Sequence, residues 1–325
     1  MGIFRGLADV DPLCLLRARL RAGAVILLLL LGWVQSERVL SAADAAQHTG
    51  RVLIAEQTRY QRIVVSENAG DVRLFLNGHL QFSSRDEARY HEALVHPALT
   101  LAAQRRHVFI GGGGDGLAAR EVLRWPDVER VTLVDLDPHM TELFRRDARL
   151  VAINQGSLGT SRVRVENQDA MTYLRAAGAL FDVAILDFPD PTNYAVGKLY
   201  SLEFYRALEK RLSPDGVLVV QATSPLFARK AFWCIARTLE AAGFRTLPYH
   251  AFVPSFGEWG FVLGRRAGLS APRAVPLPGL RYLEPAVLAS LFVFPPDSAR
   301  VPAEVNRIDN QALVGYYDAD WERWN

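Results

Sequence analysis

Residues able to do chemistry in this 325-residue chain gather around a glycine-rich loop. Gly111, Gly113 and Gly116 form the pattern G-x-G-x-x-G after an apolar run, and Asp135 follows about twenty residues later. In sheets of the Rossmann type, such glycines let a nucleotide approach the backbone, and the later acid accepts hydrogen bonds from ribose hydroxyls. The pattern therefore predicts a site for an adenosine ligand, with a tight strand-to-helix turn and a solvated acid as the alternative.

An aspartate inside the same loop indicates what charge the ligand carries. A carboxylate at Asp115 within about 4 Å of a pyrophosphate would oppose its binding by several kcal/mol at an effective dielectric constant of about 20. The position of Asp115 therefore disfavours NAD. A ligand with positive charge would be attracted instead, and a sulfonium nucleoside with an amine tail has that charge.

Three further aspartates follow apolar runs. Asp169 follows RVRVENQ, Asp187 ends FDVAILD, and Asp190 lies in DFPDP. Open α/β sheets bind ligands beyond the carboxyl ends of their strands, so these acids are expected to line the ligand site. Each of them taken singly has a second interpretation, as a helix cap or a surface charge.

The elements that would position these residues alternate between short apolar runs and amphipathic stretches. Continuous apolar strands joined by helices predict a parallel sheet covered by helices on both faces. A later segment, FVPSFGEWGFVLGRR, predicts a hairpin that completes this sheet. The predicted strands are HVFIGG, RVTLVDL, RVRVENQD, FDVAILD and VLVVQA, and the predicted helices include AAREVLRW, LEFYRALEKRL and RKAFWCIARTLEAAG.

A smaller β unit precedes this sheet. From Arg51 to Ser84 apolar and polar residues alternate, with AGD and NGH as turn signals, which predicts antiparallel hairpins. From Arg85 to Ala103 apolar residues recur at helical spacing, and Pro97 is expected to kink or restart that helix. The predicted fold class is α/β: a Rossmann-like, methyltransferase-type sheet preceded by a small antiparallel β-hairpin domain and an N-terminal apolar helix.

The N-terminal apolar helix is predicted from the run AGAVILLLLLGWV, residues 22–34, which follows Arg17, Arg19 and Arg21. Thirteen helical residues reach about 20 Å, less than the hydrocarbon core of a bilayer, which is about 30 Å thick. A retained membrane anchor is the favoured interpretation, and a cleaved signal peptide or a helix buried against protein are the alternatives. Arginines before the run would place the following domain outside the cytoplasm.

Composition argues against a nucleic-acid partner and against a metal site. The formal charge is +2 and no basic stripe carries interleaved aromatic residues, so no nucleic acid is expected to bind. Cys14 and Cys234 lack the spacing of metal ligands and fit a reducing compartment. His91 and His96 are five positions apart on one predicted helix, which is a poor spacing for a shared metal ion.

Several motifs, taken in their order along the chain, resemble those of a known family. They are YQRIVV, LNGHLQFSSRDEARYHEALVHPAL, GGGGDG, VDLD, QDA and DFPDP. From about Arg51 to Arg265 the chain is similar to the polyamine aminopropyltransferases, the spermidine synthase family, and it resembles the membrane-attached bacterial branch. The resemblance implies transfer of an aminopropyl group from decarboxylated S-adenosylmethionine, a co-substrate, to an amine such as putrescine, giving spermidine and methylthioadenosine. It implies no prosthetic group.

The resemblance also implies roles for individual residues. Asp187 would be the general base, because an alkyl ammonium with a pKa of about 10.4 must lose a proton for its nitrogen to attack. Neighbouring acids would raise the proton affinity of this carboxylate. The residues implied for the nucleoside are Gln61, Gly111, Gly113, Asp135, Asp169, Ala170 and Tyr194, and those implied for the amine-bearing chains are Tyr60, His91, Asp115 and Asp190.

Some positions depart from the pattern of that family. Phe188 and Pro189 replace small polar residues in the acidic loop, Asp135 stands where glutamate is commoner, and Tyr194 stands where proline is frequent. Two alternatives to aminopropyl transfer stay open. One is an S-adenosylmethionine-dependent methyltransferase, whose donor keeps a carboxylate that Asp115 would repel. The other is a non-catalytic, membrane-attached polyamine-binding protein.

The predicted organisation has four parts. They are an N-terminal segment with the anchor-like helix (1–49), the β-hairpin domain (50–85), the Rossmann-like catalytic domain (86–267) and a C-terminal extension (268–325). We expect a homodimer. The catalytic part is expected to be attached to the bacterial inner membrane and to face the cytoplasm, where the donor is made, with a cytoplasmic protein as the alternative.

Aromatic residues outside the motifs have less specific predictions. Trp233 and Trp259 are expected in the core rather than stacked on a ligand. The aromatic end from Tyr316 to Trp324 is expected either to pack on the domain or to form an oligomer contact.

Overall fold

The computed structural model describes residue 13 and the ranges 16–30 and 50–324. Residues 16–30 form a helix, α1, whose side chains are exposed. No described helix is both long enough and apolar enough to cross a bilayer. The apolar run 22–34 is described as far as residue 30, and Cys14 and most of the predicted segment 1–49 lie outside the described residues.

A four-stranded antiparallel sheet follows, with its strands in sequence order. The strands are β1 (Arg51–Gln57), β2 (Arg62–Asn68), β3 (Asp71–Leu76) and β4 (His79–Ser83). Asn77 and Gly78 connect β3 to β4 with φ angles of 52° and 83°. A two-residue hairpin turn of this type needs positive φ at both positions, which asparagine and glycine adopt at the lowest cost. The predicted antiparallel β unit is confirmed.

A seven-stranded sheet forms the centre of the structure. Its strands are β5 (His107–Gly112), β6 (Arg130–Asp135), β7 (Val163–Asn167), β8 (Phe181–Asp187), β9 (Leu212–Gln221), β10 (Arg245–Val253) and β11 (Gly257–Arg265). The order across the sheet is β10-β11-β9-β8-β5-β6-β7. Strands β5 to β9 run parallel, and β10 and β11 form an antiparallel hairpin at one edge. The predicted Rossmann-like sheet with its closing hairpin is confirmed.

Helices cover both faces of this sheet. They are α2 (Glu87–Leu101), α3 (Leu117–Leu123), α4 (Pro138–Arg146), α5 (Ala148–Asn154), α6 (Ala170–Arg175), α7 (Tyr194–Gly197), α8 (Leu202–Glu209), α9 (Arg229–Ala241), α10 (Pro285–Ser290) and α11 (Ala312–Trp321). Successive side chains of a strand point to opposite faces. Accordingly, Val108 and Ile110 of β5 belong to the core formed with α2 and α3, and Phe109 belongs to the core formed with α8 and α9.

Helix α2 continues through Pro97 as one element, so of the two predicted alternatives, a kink or a restart, the restart is wrong. Proline has no N–H to donate to the carbonyl of Ala93, one turn earlier. The hydroxyl of Tyr249 donates a hydrogen bond to that oxygen instead, at 2.7 Å. Tyr249 is fully buried on β10, so the sheet satisfies the carbonyl that the proline leaves without an N–H partner.

The described part of the C-terminal extension packs back on the larger sheet. The carboxylate of Glu92 on α2 accepts hydrogen bonds from the backbone N–H groups of residues 281–283 at 2.7 to 3.0 Å. At the other end of the extension, the ring of Trp321 stacks on that of Phe227 with centroids 5.7 Å apart. Of the two alternatives for the aromatic C-terminal end, packing on the domain is therefore observed.

Candidate active site

The order of the strands determines where this sheet can bind a ligand. From β5 the chain proceeds to β6 and β7 on one side, and it then returns to β8 on the other side of β5. Open α/β sheets bind ligands in the crevice at such a reversal, beyond the carboxyl ends of the strands. Gly112, the last residue of β5, lies opposite Asp187, the last residue of β8. The glycine loop and the acidic loop therefore meet at this switch point.

The glycine loop leaves room for the carboxylates beside it. Gly112 has a φ of 77°, and a Cβ there would overlap the backbone carbonyl of Asp187. A Cβ at Gly114 would lie 2.7 Å from Oδ2 of Asp135, an oxygen that accepts a hydrogen bond from the N–H of Gly114 at 3.1 Å. A Cβ at Gly113 would lie 3.4 Å from Oδ2 of Asp187. Glycines at these positions let two strand-end acids approach the loop backbone.

Asp187 lies at the centre of the site. Its Oδ1 accepts a hydrogen bond from the hydroxyl of Tyr90 on α2, at 2.6 Å. Burial raises the pKa of Asp187 to about 6; the charges of His91 and the Tyr90 hydrogen bond oppose this rise, and the charge of Asp115 adds to it. The carboxylate is therefore mostly ionised at neutral pH, yet it holds a proton more tightly than an ordinary aspartate does.

Asp115 and His91 are buried residues whose charges act on Asp187. Oδ1 of Asp115 accepts a hydrogen bond from the N–H of Leu117 at 2.9 Å, and burial raises the pKa of this carboxyl although the charge of His91 opposes the rise. Nδ1 of His91 lies 2.9 Å from the backbone oxygen of Glu87 and 3.1 Å from its Oε2. Burial lowers the pKa of His91, but the hydrogen bond to Glu87 and the charge of Glu87 raise it by a larger amount. The net shift of the pKa is therefore upward. A protonated His91 offsets part of the negative charge here.

Asp190 receives three hydrogen bonds from side chains. The hydroxyls of Tyr317 and Thr223 donate to Oδ2 at 2.9 and 3.3 Å, and Nε2 of Gln221 donates to Oδ1 at 3.4 Å. Burial raises the pKa of Asp190 to about 6, and these three hydrogen bonds oppose the rise. Gln221 ends β9 and Thr223 follows it, whereas Tyr317 belongs to α11 in the C-terminal extension.

Asp135 ends β6 and is linked through Asp137 to the N-terminal sheet. Burial raises the pKa of Asp135 to about 6; the N–H of Asp137, which donates at 2.9 Å, opposes the rise, and the charges of Asp137 and Asp115 add to it. Asp137 is itself buried. Its Oδ2 accepts hydrogen bonds from Oγ1 of Thr58 at 2.8 Å and from Nε2 of Gln61 at 3.0 Å. Gln61 is thus held beside the acid that follows β6.

Tyr60 lines a cavity of about 550 Å³. This cavity lies between the β1–β2 connection and the segment after β6, and Asp137 contributes to its wall. Tyr60 is 38% exposed, and the guanidinium of Arg59 lies 4.9 Å from the centroid of its ring. Asp115 and Asp187 are not among the residues that line this cavity. A contact between Tyr60 and an amine-bearing chain stays a prediction.

Asp169 differs from the other strand-end acids. Its Oδ1 accepts hydrogen bonds from the backbone N–H and the hydroxyl of Thr172 and so caps α6, and its Oδ2 pairs with the ammonium of Lys198 at 2.5 Å. Burial acts to raise the pKa of Asp169, but the bonds from Lys198 and Thr172 lower it below its usual range. Two further residues implied for the nucleoside differ in exposure: Ala170 is buried and Tyr194 is 70% exposed.

Three of the five predicted site aspartates are linked directly by charge, and a fourth, Asp190, is linked to them through Tyr90. The charge of Asp115 acts on both Asp187 and Asp135, and the charge of Asp190 acts on Tyr90, the hydrogen-bond partner of Asp187. The carboxylate of the fifth, Asp169, is taken up by Lys198 and the helix that it caps. Among the described residues, no group of three or more His, Cys, Asp or Glu side chains is arranged to hold a metal ion.

Several residues of the site were not predicted from the sequence. Tyr90 precedes the predicted His91 in the chain, and Asp137 follows Asp135 within VDLD, so both lay inside motifs that had been singled out. Nothing local indicates that Tyr317 contacts Asp190. Trp233 is buried and Trp259 packs, partly buried, against the core, as expected. Trp259 also borders the site: its Nε1 donates to Gln221 at 3.2 Å, and its ring centroid lies 6.5 Å from that of Tyr90. These contacts form only when distant segments of the chain pack together.

The fold and the site define a Rossmann-like α/β protein with aspartates clustered at its switch point. Residues 87–268 match the spermine/spermidine synthase domain. The chain belongs to the spermine/spermidine synthase family, which confirms the family resemblance predicted from its motifs.

Relatives and solved structures agree with this assignment. The chain is 48% identical over 305 residues to a polyamine aminopropyltransferase of Leptospira interrogans, covering 94% of this chain and 61% of that protein. It is 50% identical over 303 residues to polyamine aminopropyltransferase 2 of Ralstonia nicotianae, covering 93% and 59%. A spermidine synthase solved with the transition-state analogue AdoDATO superposes with a TM-score of 0.70 at 28% identity, covering 75% of this chain and 86% of that chain. The chain spans about three fifths of the length of these curated relatives.

Proposed function

We propose that this chain is a polyamine aminopropyltransferase. It would move the aminopropyl group of decarboxylated S-adenosylmethionine to an aliphatic amine such as putrescine, giving spermidine and methylthioadenosine. The observation that carries the proposal is the position of the Asp187 carboxylate: it lies at the switch point, accepts a hydrogen bond from Tyr90 and is flanked by Asp115. Family membership and the names of the relatives support the same reaction.

The proposed reaction is a substitution at carbon. The amine nitrogen attacks the carbon next to the sulfonium sulfur, a C–N bond forms, and the C–S bond breaks with its electron pair passing to sulfur. Because a neutral thioether leaves, no covalent protein intermediate is needed. The cleft contributes by holding the two positive substrates in line, and such positioning is worth several kcal/mol.

Asp187 would take the proton that the amine loses. Its pKa of about 6, against 3.8 for an ordinary aspartate, lies closer to the value of about 10.4 of an alkyl ammonium, so proton transfer is less unfavourable. At neutral pH the group is still mostly ionised and able to accept. Asp190 would anchor the acceptor amine, and Tyr60, His91 and Asp115 would contact the amine-bearing chains.

We assign the donor to the glycine loop and to the strand ends on the β6 side of the switch point. Asp115 would attract the ammonium and sulfonium of a decarboxylated donor, whereas it would repel the carboxylate that the methyl donor retains. This charge favours aminopropyl over methyl transfer. For Asp169 to bind the nucleoside, its pair with Lys198 would have to rearrange. The residues assigned to the nucleoside are Gln61, Gly111, Gly113, Asp135, Asp169, Ala170 and Tyr194.

The altered acidic loop is compatible with turnover. Phe188 is buried and packs edge-on against Phe204, with ring centroids 5.5 Å apart. A Cβ at Gly111 would lie 2.6 Å from Cζ of Phe188, so this glycine makes room for the ring. Burial of Phe188 leaves the two carboxylates of the loop, Asp187 and Asp190, within the acidic cleft.

A product screen tests the proposal. The protein is incubated with decarboxylated S-adenosylmethionine or with S-adenosylmethionine, each combined with putrescine, spermidine, cadaverine or agmatine, and products are identified by mass spectrometry. We expect methylthioadenosine and an amine lengthened by one aminopropyl group, with the decarboxylated donor only. Preference for the carboxylated donor would favour a methyltransferase, and binding of amines without any product would favour a polyamine-binding protein.

Location and assembly are further proposals. We propose attachment to the bacterial inner membrane through residues 22–34, with the catalytic part on the cytoplasmic side, because the donor is made there. The exposed apolar side chains of residues 25–30 support an interfacial contact. Protease accessibility in spheroplasts tests the side: digestion of the catalytic part from outside would contradict it. A homodimer is also proposed, and light scattering of the full chain tests it.

A further inference from the structure

The C-terminal extension contacts the proposed acceptor site through the side chain of Tyr317. The hydroxyl of Tyr317, on α11, donates a hydrogen bond to Oδ2 of Asp190 at 2.9 Å. Tyr317 lies beyond residues 87–268, the segment that matches the family's domain. A residue outside that segment thus contacts an acid of the proposed acceptor site.

Tyr317 makes the shortest hydrogen bond among the described side-chain partners of Asp190. Thr223 donates at 3.3 Å and Gln221 at 3.4 Å. Nε2 of Gln221 is also only 2.7 Å from the hydroxyl oxygen of Tyr200, so its amide is shared with another partner. The orientation of the Asp190 carboxylate therefore depends chiefly on Tyr317. Three donors leave acceptor capacity on the carboxylate for an ammonium.

The packing of α11 against α9 places Tyr317 next to Asp190. Helix α9 begins after Ala228, which has no side chain able to cap it. Oδ2 of Asp320, on α11, accepts hydrogen bonds from the N–H groups of Lys230 and Ala231 at 2.7 and 3.1 Å and so takes the place of a cap. Asp320 and Tyr317 are three residues apart and lie on one side of α11. The hydrogen bonds of Asp320 to α9 and of Tyr317 to Asp190 therefore come from the same face of α11, and the first set fixes the position of the second.

We propose that Tyr317 is a positioning residue for the acceptor amine, which it serves by holding Asp190 in place from the C-terminal extension. The inference rests on the proposed function, in which Asp190 anchors an aliphatic diamine or polyamine. The donor is assigned to the other side of the switch point. Loss of the Tyr317 hydroxyl should therefore weaken acceptor binding and leave donor binding unchanged.

The matched experiment compares Tyr317→Phe with Tyr316→Phe. Tyr316 is the preceding residue on α11, and its hydroxyl donates to Glu304 at 2.8 Å, away from the cleft. For Tyr317→Phe we expect the KM for the acceptor to rise about tenfold, the cost of one hydrogen bond to a charged group, with the KM for the donor unchanged. For Tyr316→Phe we expect both values to stay at those of the parent.

A double-mutant cycle shows whether Tyr317 acts through Asp190. If it does, Tyr317→Phe should raise the acceptor KM no further when Asp190 is already Asn. An equal effect in both backgrounds would overturn the inference. So would a Tyr317→Phe protein with parental KM values, or one in which a lower Tm accompanies equal losses toward donor and acceptor.

Binding separates failure of this inference from failure of the proposed function. Calorimetry measures the affinity of the parent and of Tyr317→Phe for putrescine and spermidine in the presence of methylthioadenosine. If the parent turns nothing over but binds an amine, and Tyr317→Phe weakens that binding, the inference stands and the proposed reaction fails. If the parent binds no amine, both fail.

Discussion

Two strand ends of the same sheet carry aspartates with opposite electrostatic character. Asp187, at the end of β8, lies beside Tyr90 and Asp115, and its pKa is raised to about 6. Asp169 follows β7, an edge strand of the sheet, and hydrogen bonds from Lys198 and Thr172 lower its pKa. β8 has a neighbouring strand on each side, so its end is enclosed. The end of a parallel strand can thus place an aspartate at this edge of the sheet. The burial and the hydrogen-bond partners of that aspartate determine whether its carboxylate can accept a proton or instead caps a helix.

The largest expected effect follows from removing the charge at the enclosed end. In Asp187→Asn we expect kcat to fall by about 10²- to 10⁴-fold, the usual contribution of a general base. Release of methylthioadenosine measures it. The matched control is Asp182→Asn, at the other end of the same strand, where Oδ2 accepts a hydrogen bond from the N–H of His107 at 3.1 Å. An amide oxygen can still accept that bond, so activity should persist; equal losses in the two variants would refute the role of Asp187.

The two acids should also have opposite effects on stability as pH changes. A carboxyl group with a raised folded-state pKa stabilises the fold most below its unfolded-state pKa, and this contribution is lost as pH rises through about 6 for Asp187. Relative to Asp187→Asn, the parent should therefore lose about 1–3 kcal/mol of unfolding free energy between pH 4 and pH 7. Urea unfolding at several pH values measures the difference. A difference that is constant with pH, or that changes in the other direction, would contradict the raised pKa.

Tyr90 provides a sharper test of what sets the pKa of Asp187. Its hydrogen bond stabilises the ionised carboxylate and opposes the rise in pKa. In Tyr90→Phe we expect kcat/KM to fall about tenfold. The acidic limb of the pH profile of kcat/KM should also shift to higher pH.

Tyr249→Phe is the control for this prediction. It removes a hydroxyl that also contacts α2, through the oxygen of Ala93. We expect a lower Tm and an unshifted pH profile. The same shift of the acidic limb in both variants would indicate a general change in the packing of α2.

The smallest effect is expected at the edge of the sheet. In Asp169→Asn the amide can still cap α6, so the unfolding free energy at pH 7 should fall by less than about 1 kcal/mol, the contribution of a partly exposed ion pair. Since the folded-state pKa of Asp169 is lowered, the difference should disappear as pH falls through that pKa. If Asp169 also binds the nucleoside, the KM for the donor should rise with little change in kcat. A loss of kcat as large as that of Asp187→Asn would remove the distinction between the two strand ends.

The sequence by itself determined the sheet, the glycine loop and the family. Runs such as HVFIGG and FDVAILD coincide with β5 and β8 because a strand buried on both faces must be apolar along its length. The acids at the strand ends were predicted for the same reason, since the carboxyl ends of parallel strands share one edge. Local spacing was less reliable at Pro97, where Tyr249, 156 positions away, supplies the compensating hydrogen bond.

Only the tertiary structure decided the partner of each acid. Asp187 and Tyr90 are 97 positions apart, and Asp190 and Tyr317 are 127 positions apart, distances over which periodicity carries no information. Whether an aspartate meets a hydroxyl, another carboxylate or a lysine depends on how helices from distant parts of the chain pack against the sheet. Because burial and neighbouring charges shift a pKa, residue types in a motif identify candidate acids, and the packed structure determines their chemistry.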